Sequence, residues 1–250
     1  MKIHIAKFDS IPSTNEEALR QASAGVHEGY CVVADEQTAG KGREGRTWIS
    51  SKGEGLYFSI VLRPALETRI VPVLTLLTAV AVHETIVEFC GVEADIKWPN
   101  DIHVGGRKLA GILAEGCETN KGLAVIVGIG INLSTRNLPE VVRASATSIS
   151  DETGKTPAAA DIVPLLVKNL SARYGRFNQS PAVQSVLDDW CERSSYAIGR
   201  NVNVITRTGS FTGVTAGLDR FGSLLVKSDN GQIRTVTAGD VESVRSVKCE

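Results

Sequence analysis

No pair of cysteines in this sequence has the spacing of a metal or redox site. Cys31, Cys90, Cys117, Cys191 and Cys249 are scattered and odd in number, which argues against both a zinc site and a disulfide framework. Charge of one sign is lacking too. The formal net charge is −1, so no global basic field draws in nucleic acid or an anionic membrane. No apolar run is long enough for a bilayer: the longest, residues 70–82, is interrupted by threonines and Pro72 and predicts a buried helix. The first seven residues, Met1-Lys2-Ile3-His4-Ile5-Ala6-Lys7, lack the apolar core and small-residue cleavage site of a secretory signal. Together these absences predict a cytoplasmic protein. At 42% hydrophobic and 22% charged, the composition is that of a folded chain rather than a disordered one. Its 250 residues suffice for one sizeable domain and a small one.

What is present alternates between strand and helix signals. Residues 3–8 read as a strand ending at the turn-like Asp9-Ser10, and Ser13 with Glu16 three residues on predicts a capping box opening a helix with Ala18, Leu19 and Ala22 on one face. Residues 31–34 read as a buried strand, 38–55 as a glycine- and arginine-rich loop, 56–62 as a strand and 71–89 as the main core helix. Strands follow at 94–98, 102–104, 109–116 and 123–132, with Gly105-Gly106-Arg107 as a hairpin signal. Residues 158–177 and 182–193 read as helices, with Pro157 and Pro181 near their starts. After Gly199 the texture changes to five short β runs, 201–205, 210–217, 224–227, 233–236 and 241–244, which predict a small barrel. The boundary falls near residues 196–199.

Three clusters carry chemistry. In Gly40-Lys41-Gly42-Arg43-Glu44-Gly45-Arg46-Thr47-Trp48, glycines permit tight turns and three cations suit phosphate oxygens. Its Gly40-x-Gly42-x-x-Gly45 spacing is not a dinucleotide fingerprint, because a loop rather than a helix follows. A solvated loop without a ligand is the bland alternative. The second cluster is Lys97-Trp98-Pro99-Asn100-Asp101 with Arg107-Lys108 after it. Alone, Pro-Asn-Asp is a turn; two flanking lysines can converge on one ligand, and Asp101 can bind Mg²⁺ or act as a general base. The third is Gly128-Ile129-Gly130-Ile131-Asn132, where glycines in a strand mark either a bulge or the close approach of a ligand.

Together these residues resemble the biotin–protein ligases. That family carries a glycine/arginine loop ending in tryptophan, a Lys-Trp-Pro-Asn-Asp turn, an Arg-Lys-x-x-Gly-Ile-Leu strand and a Gly-x-Gly-x-Asn strand. It also has an early Ser-Thr-Asn and a Gln-x-x-Gly entering the loop. This chain has all six in family order from Ser13 to Asn132. The resemblance implies an α+β fold, a mixed β-sheet flanked by helices of the class II synthetase and biotin–lipoate ligase kind, with a small C-terminal SH3-like β-barrel. It divides the chain into a catalytic domain, 1–196, and an SH3-like domain, 197–250.

The resemblance also implies the activity: biotin and ATP form biotinyl-5′-AMP, and biotin then passes to a lysine of a biotin carboxyl carrier protein. Ser13, Thr14, Asn15 and Gln37 would line the biotin end. Gly40, Lys41, Gly42 and Arg43 would fold over biotin and the phosphates with Arg46 nearby, and Trp48 would pack against the nucleotide. Lys108 would reach the biotin carboxylate or acyl phosphate, Gly111, Gly128 and Gly130 would form close walls, and Asn132 would sit near the adenine or phosphates. Lys41, Arg43, Arg46, Lys97 and Lys108, with Mg²⁺, would stabilise phosphate charge, and Asp101 would help deprotonate the carrier amine. Family members with an N-terminal helix-turn-helix also repress transcription. Here Ser-Thr-Asn begins at position 13, so no repressor role, no nucleic acid partner and no membrane partner are expected, and a homodimer through the catalytic sheet stays open.

One departure is visible. The family loop usually reads Gly-Arg-Gly-Arg, and Lys41 replaces the first arginine, keeping the charge but losing the planar fork. Looser retention of the intermediate is expected, with less leakage of adenylate after Lys41→Arg; equal leakage in the two proteins would refute it. The nearest rival is a lipoate–protein ligase or octanoyl transferase, which resembles the same catalytic fold; the loop and the C-terminal domain favour biotin. A rival of another class is a non-catalytic binding module centred on the barrel. Its Arg207, Arg220 and Arg234 are dispersed, without an aromatic stacking pair beside them, which disfavours it.

Overall fold

Every residue of Gly55–Leu62 is buried although its side chains alternate between two faces, so this strand is covered on both sides. In the computed structural model, which describes residues 1–64, 71–177, 182–228 and 230–243, it is β3 of a seven-stranded mixed sheet. The other strands are β1 (His4–Ile11), β2 (Tyr30–Gln37), β4 (Asp95–Lys97), β5 (Asp101–Val104), β6 (Arg107–Thr119) and β7 (Gly122–Asn132), in the order β1-β2-β3-β7-β6-β5-β4. Only β1 and β2 run parallel. Ile70, Pro181, Val244 and Cys249 lie outside the described residues.

Leu56, Phe58, Ile60 and Leu62 enter the main core with Val125, Val127, Ile129 and Ile131 of β7. That core is shared with α2 (Val71–Cys90), on which α5 (Ala159–Phe177) and α6 (Ala182–Glu192) pack. At 20 residues α2 is long and apolar enough to cross a bilayer, contrary to the shorter run read from sequence; with most of its apolar stretch buried inside the protein, it is a core helix. On the other face, Val61 joins Val32, Ala124 and Ile126 beneath Ala18 and Ala22 of α1 (Thr14–Ser23).

Several local expectations yield to tertiary structure. β1 continues past Asp9-Ser10, because Ser10 and Ile11 pair with Glu36 and Gln37 of β2. The capping box does not form: Ser13 stands at the N-cap of α1, but its side chain makes no capping bond. Leu19 faces solvent at 37% exposure rather than sharing the buried face of Ala18 and Ala22. Two short helices, α3 (Glu140–Arg143) and α4 (Ile149–Thr153), occupy a stretch where no element was expected. The hairpin at Gly105-Gly106 forms as read, with φ of 56° and 79°.

The last strands, β8 (Ile198–Thr206), β9 (Gly209–Leu218), β10 (Leu224–Lys227), β11 (Ile233–Val236) and β12 (Asp240–Ser243), form an antiparallel SH3-like sheet in the order β11-β10-β9-β8-β12. Its turn at residues 219–223 docks on the larger layer. Trp98 Nε1 donates to the Gly222 carbonyl at 3.0 Å. At Gly222, with φ of 81°, a Cβ would stand 2.7 Å from Leu76 Cδ1, so both conformation and space require glycine. The aromatic partners thought missing here exist: Arg220 lies over Phe221 and Arg234 over Phe211, 4.7 and 4.8 Å from the ring centroids. The second pair joins β11 to β9, which are far apart in sequence.

His83 ties α2 to the residues before β4, its Nε2 lying 3.0 Å from the Ala94 carbonyl. Burial pulls the imidazole below its ordinary 6.5, only partly offset by that bond. The folded protein therefore binds fewer protons at this site than the unfolded chain, and stability is lost as pH falls below about 6.5. His83→Gln, which keeps an N–H donor, is expected to flatten the slope of urea midpoint against pH between roughly 5 and 7. An unchanged slope would remove His83 from the account.

Candidate active site

α1 covers only part of its face of the sheet. Beyond its N-terminal end the strands present Gly128 and Gly130 of β7 and Gly111 of β6, with Gly111 opposite Gly130 and Ser59 opposite Gly128. The missing side chains leave a cavity of about 140 Å³. A Cβ at Gly128 would overlap Asn15 Oδ1, one at Gly130 would stand 2.5 Å from Trp48 Cε2, and one at Gly111 would stand 3.1 Å from Trp48 Cζ3. The glycines thus admit Asn15 from one side and Trp48 from the other.

One end of the cavity is a network of amides and hydroxyls. Thr14 N and Oγ1 donate to Gln37 Oε1 at 2.8 and 3.0 Å, and Gln37 Nε2 donates to Ser50 Oγ at 2.8 Å. Asn15 Nδ2 donates to Glu115 Oε2 at 2.7 Å, while Asn15 Oδ1 accepts from Ser59 Oγ at 2.6 Å. The carboxylate therefore fixes which way the Asn15 amide points. Ser13, Thr14 and Asn15 are all buried, and Ser13 keeps its hydroxyl for the cavity because it caps nothing.

The other end is cationic. Lys108 and Gly111 are three residues apart, which on a regular strand puts them on opposite faces. The β5–β6 register shifts between Ile102 and His103, so that Asp101 pairs with Gly111 and His103 with Lys108. This bulge brings Lys108 back to the glycine face. Its Nζ lies 2.7 Å from Asp101 Oδ1 and 5.4 Å from the centroid of Trp48. Burial alone would raise the Asp101 pKa, but the neighbouring His103, its Nε2 3.9 Å away, and the charge of Lys108 prevail and hold it below its ordinary value. At neutral pH Asp101 is an ion-paired carboxylate and a weak base.

Residues 40–48 roof the cavity. The loop folds on itself through Gly42 N to Arg46 O at 2.7 Å and Trp48 N to Gly40 O at 2.9 Å, around a single 3-10 turn at Arg43–Gly45. Three contacts pin it from outside: Lys41 Nζ to Glu16 Oε1 of α1 at 2.7 Å, Arg43 Nη1 to Asn100 Oδ1 at 3.0 Å, and an ion pair from Arg46 to Asp240 at the start of β12. Both ion pairs are half-exposed, so each contributes modestly and is weakened by salt. Glu16→Gln and Asp240→Asn are each expected to raise the escape of a bound intermediate by about twofold to fivefold, less so in 0.5 M salt. Rapid-quench measurement of intermediate in solution checks this, and unaltered escape in both variants would show that the ion pairs do not hold the loop.

Of the residues singled out in the sequence, Ser13, Thr14, Asn15, Gln37, Lys41, Gly42, Arg43, Arg46, Trp48, Asp101, Lys108, Gly111, Gly128 and Gly130 line this one cavity. Three do not. Lys97 stands on β4 opposite Asp101, outside the lining. At Gly40 a Cβ would overlap the Trp48 carbonyl, so this glycine closes the loop rather than facing the cavity. Asn132 Nδ2 donates to the carbonyls of Lys108 and Thr147 at 3.3 and 2.9 Å, stapling the start of β6. Sequence reasoning missed Ser59, Glu115 and Asp240. Ser59 carried a signal, a lone serine in the apolar strand Gly55–Leu62; Asp240, far downstream of its partner Arg46, carried none. The described cysteines are free, and burial pushes the Cys31 thiol up to about 12, which leaves it inert as a nucleophile.

The chain is similar to known proteins over most of its length. Residues 7–132 match the model of the Biotin/lipoate A/B protein ligase family, and residues 197–243 match the Biotin protein ligase C terminal domain. The chain is 37% identical over 244 residues to the bifunctional ligase/repressor BirA of Bacillus subtilis, covering 96% of this chain and 74% of that protein. It is 32% identical over 235 residues to the biotin–[acetyl-CoA-carboxylase] ligase of Paracoccus denitrificans, covering 92% and 96%. Its fold superimposes on the biotin protein ligase of Aquifex aeolicus in complex with biotin and ATP with a TM-score of 0.82, at 30% identity over 97% of this chain and 99% of that one. The match over residues 7–132 and the 37% identity to a relative covered over 74% of its length make the chain a member of the biotin/lipoate A/B protein ligase family.

Proposed function

We propose that this protein is a biotin–protein ligase that activates biotin as its adenylate and transfers it to a lysine of a biotin carboxyl carrier protein. The observation that carries the reading is the polarity of the slot. Thr14, Asn15 and Gln37 offer amide and hydroxyl groups to a ureido ring at one end, and Arg43 and Lys108 offer cations to a carboxylate and phosphate at the other.

In the first step the biotin carboxylate attacks the α-phosphorus of ATP, and pyrophosphate leaves. No protein nucleophile is needed; Lys108 and Arg43 hold the reactants in line and stabilise charge on the phosphate oxygens. Asp101 orients Lys108 instead of acting as a base, because its carboxylate is already ion-paired and held low. Asn132 supports Lys108 through its backbone, and Lys97 takes no direct part. Among the described residues no cluster of His, Cys, Asp or Glu forms a metal cage, and the two carboxylates of the cavity lining, Asp101 and Asp240, are each tied to a cation. Mg²⁺, where it accompanies ATP, would be held mainly by the nucleotide's phosphates and would offset their charge, with Lys108 and Arg43 beside them. In the second step a lysine amine attacks the acyl carbon and AMP leaves, while residues 40–48 keep water off the anhydride.

The test is isotope exchange between pyrophosphate and ATP. Exchange that requires biotin is expected; exchange supported by lipoate or octanoate but not by biotin would overturn the substrate assignment.

A further inference from the structure

A second cavity, of about 510 Å³, adjoins the first. Arg43, Asn100, Ile112 and Leu113 line both, so they form the partition, and the Arg43–Asn100 hydrogen bond lies in it. The outer walls come from two parts of the fold: Thr75 and Leu76 of α2 on one side, and the turn at Asp219 that docks against Trp98 on the other. We propose that this groove is the route by which the carrier's lysine side chain reaches the acyl carbon, with Arg43 as its gate. The proposal rests on the ligase reading and adds the place of the second substrate.

Three observations carry it. The groove meets the reacting end of the slot through Arg43; Leu113 of the partition stands nearer the amide end, its carbonyl accepting from Asn15 at 3.4 Å, while Thr14 and Gln37 line the slot and not the groove. Its walls suit a lysine arm: Leu76, Trp98, Leu113 and Ala114 are apolar, as four methylenes require, and Asp219 provides a carboxylate away from the partition. The partition itself is built to part on one side only. Asn100 is fixed by Nδ2 to Ile112 O at 2.8 Å and by Ile112 N to its own carbonyl at 2.9 Å, whereas Arg43 belongs to the loop that roofs the slot.

Charge along the route also supplies what the second step needs. The attacking amine must be neutral. Asp219 attracts the ammonium, and the guanidinium of Arg43 with the apolar walls then disfavours its charge, lowering the amine pKa as it enters. One proton leaves to solvent through the groove as the ammonium is neutralised; the nitrogen then forms the amide bond and gives a second proton to the departing AMP phosphate as the acyl–phosphate bond breaks. No side-chain base is required, in keeping with the ion-paired state of Asp101.

Two substitutions fill the groove from opposite walls without touching the slot, Thr75→Trp on α2 and Thr237→Trp beyond β11. Single-turnover transfer from preformed biotinyl-adenylate to a biotin carboxyl carrier domain is expected to slow by about 10-fold or more in each, with biotin-dependent pyrophosphate exchange within about twofold of the parent. Cleavage of the same bound adenylate by hydroxylamine, which needs no long groove, is expected to keep the parental rate. Parental transfer rates in either variant that retains exchange would overturn the route. Absence of biotin-dependent exchange in the parent would instead overturn the ligase reading on which it rests.

Discussion

Lys108→Ala is expected to slow adenylate formation by about 10²–10³-fold and to lower thermal stability as well. Two effects combine. The ammonium that faces the reacting oxygens is lost, and Asp101 is left ionised beside the slot without its 2.7 Å partner. An unpaired carboxylate there repels both the biotin carboxylate and the phosphates, so the variant suffers more than the loss of one attraction. Asp101→Asn separates the two contributions. It removes the anion but leaves Lys108 in place and less well oriented, for which a loss of roughly 10-fold is expected. Rates of biotin-dependent pyrophosphate exchange rank the variants; a loss in Asp101→Asn equal to that in Lys108→Ala would mean that Asp101 does more than orient the lysine.

Gly128→Ala is expected to weaken biotin binding by about 100-fold and to cost about 1–3 kcal/mol of stability. The added methyl would overlap Asn15 Oδ1, and Asn15 cannot step aside cheaply. Its amide is held by Glu115 at 2.7 Å and Ser59 at 2.6 Å, so moving it breaks both bonds in a buried setting. Gly116→Ala is the control on the neighbouring strand. A Cβ there meets Leu123 Cδ1 at 3.7 Å and Val71 Cγ2 at 4.0 Å, ordinary contacts, so neither binding nor stability should fall. Titration calorimetry with biotin and urea unfolding check the pair; similar behaviour of the two variants would show that the Gly128–Asn15 contact is unimportant.

These two predictions draw on features of unequal visibility in the sequence. The glycines of β6 and β7 were legible because a strand that gives up side chains must be making room. The loop at residues 40–48 was legible because its glycines and cations have few other uses together. The pairing of strands was legible only locally: Gly105-Gly106 announces its hairpin, but the long pairing of β3 with β7 does not appear in either strand alone.

What stayed hidden depends on register or distance. Lys108 faces the slot because of a bulge, and no spacing rule places residues 108 and 111 on one face of a strand. Asn132, part of a motif, points its amide at backbone carbonyls, so its value is mechanical. Ser13 with Glu16 has the composition of a capping box, yet the backbone before α1 leads Ser13 into the cavity instead. Asp240 reaches the loop because the SH3-like sheet docks through Trp98 and Gly222. That contact makes the small sheet part of the same wall as the catalytic strands.

The most direct test of the central claim is the intact mass of a biotin carboxyl carrier domain after incubation with this protein, ATP, Mg²⁺ and either biotin or lipoate. The account predicts a single biotinyl increment that requires ATP, and none with lipoate. A lipoyl increment without a biotinyl one would contradict the assignment of the amide end of the slot to a ureido ring. No increment with either acid, on a carrier that another ligase modifies, would contradict the account as a whole.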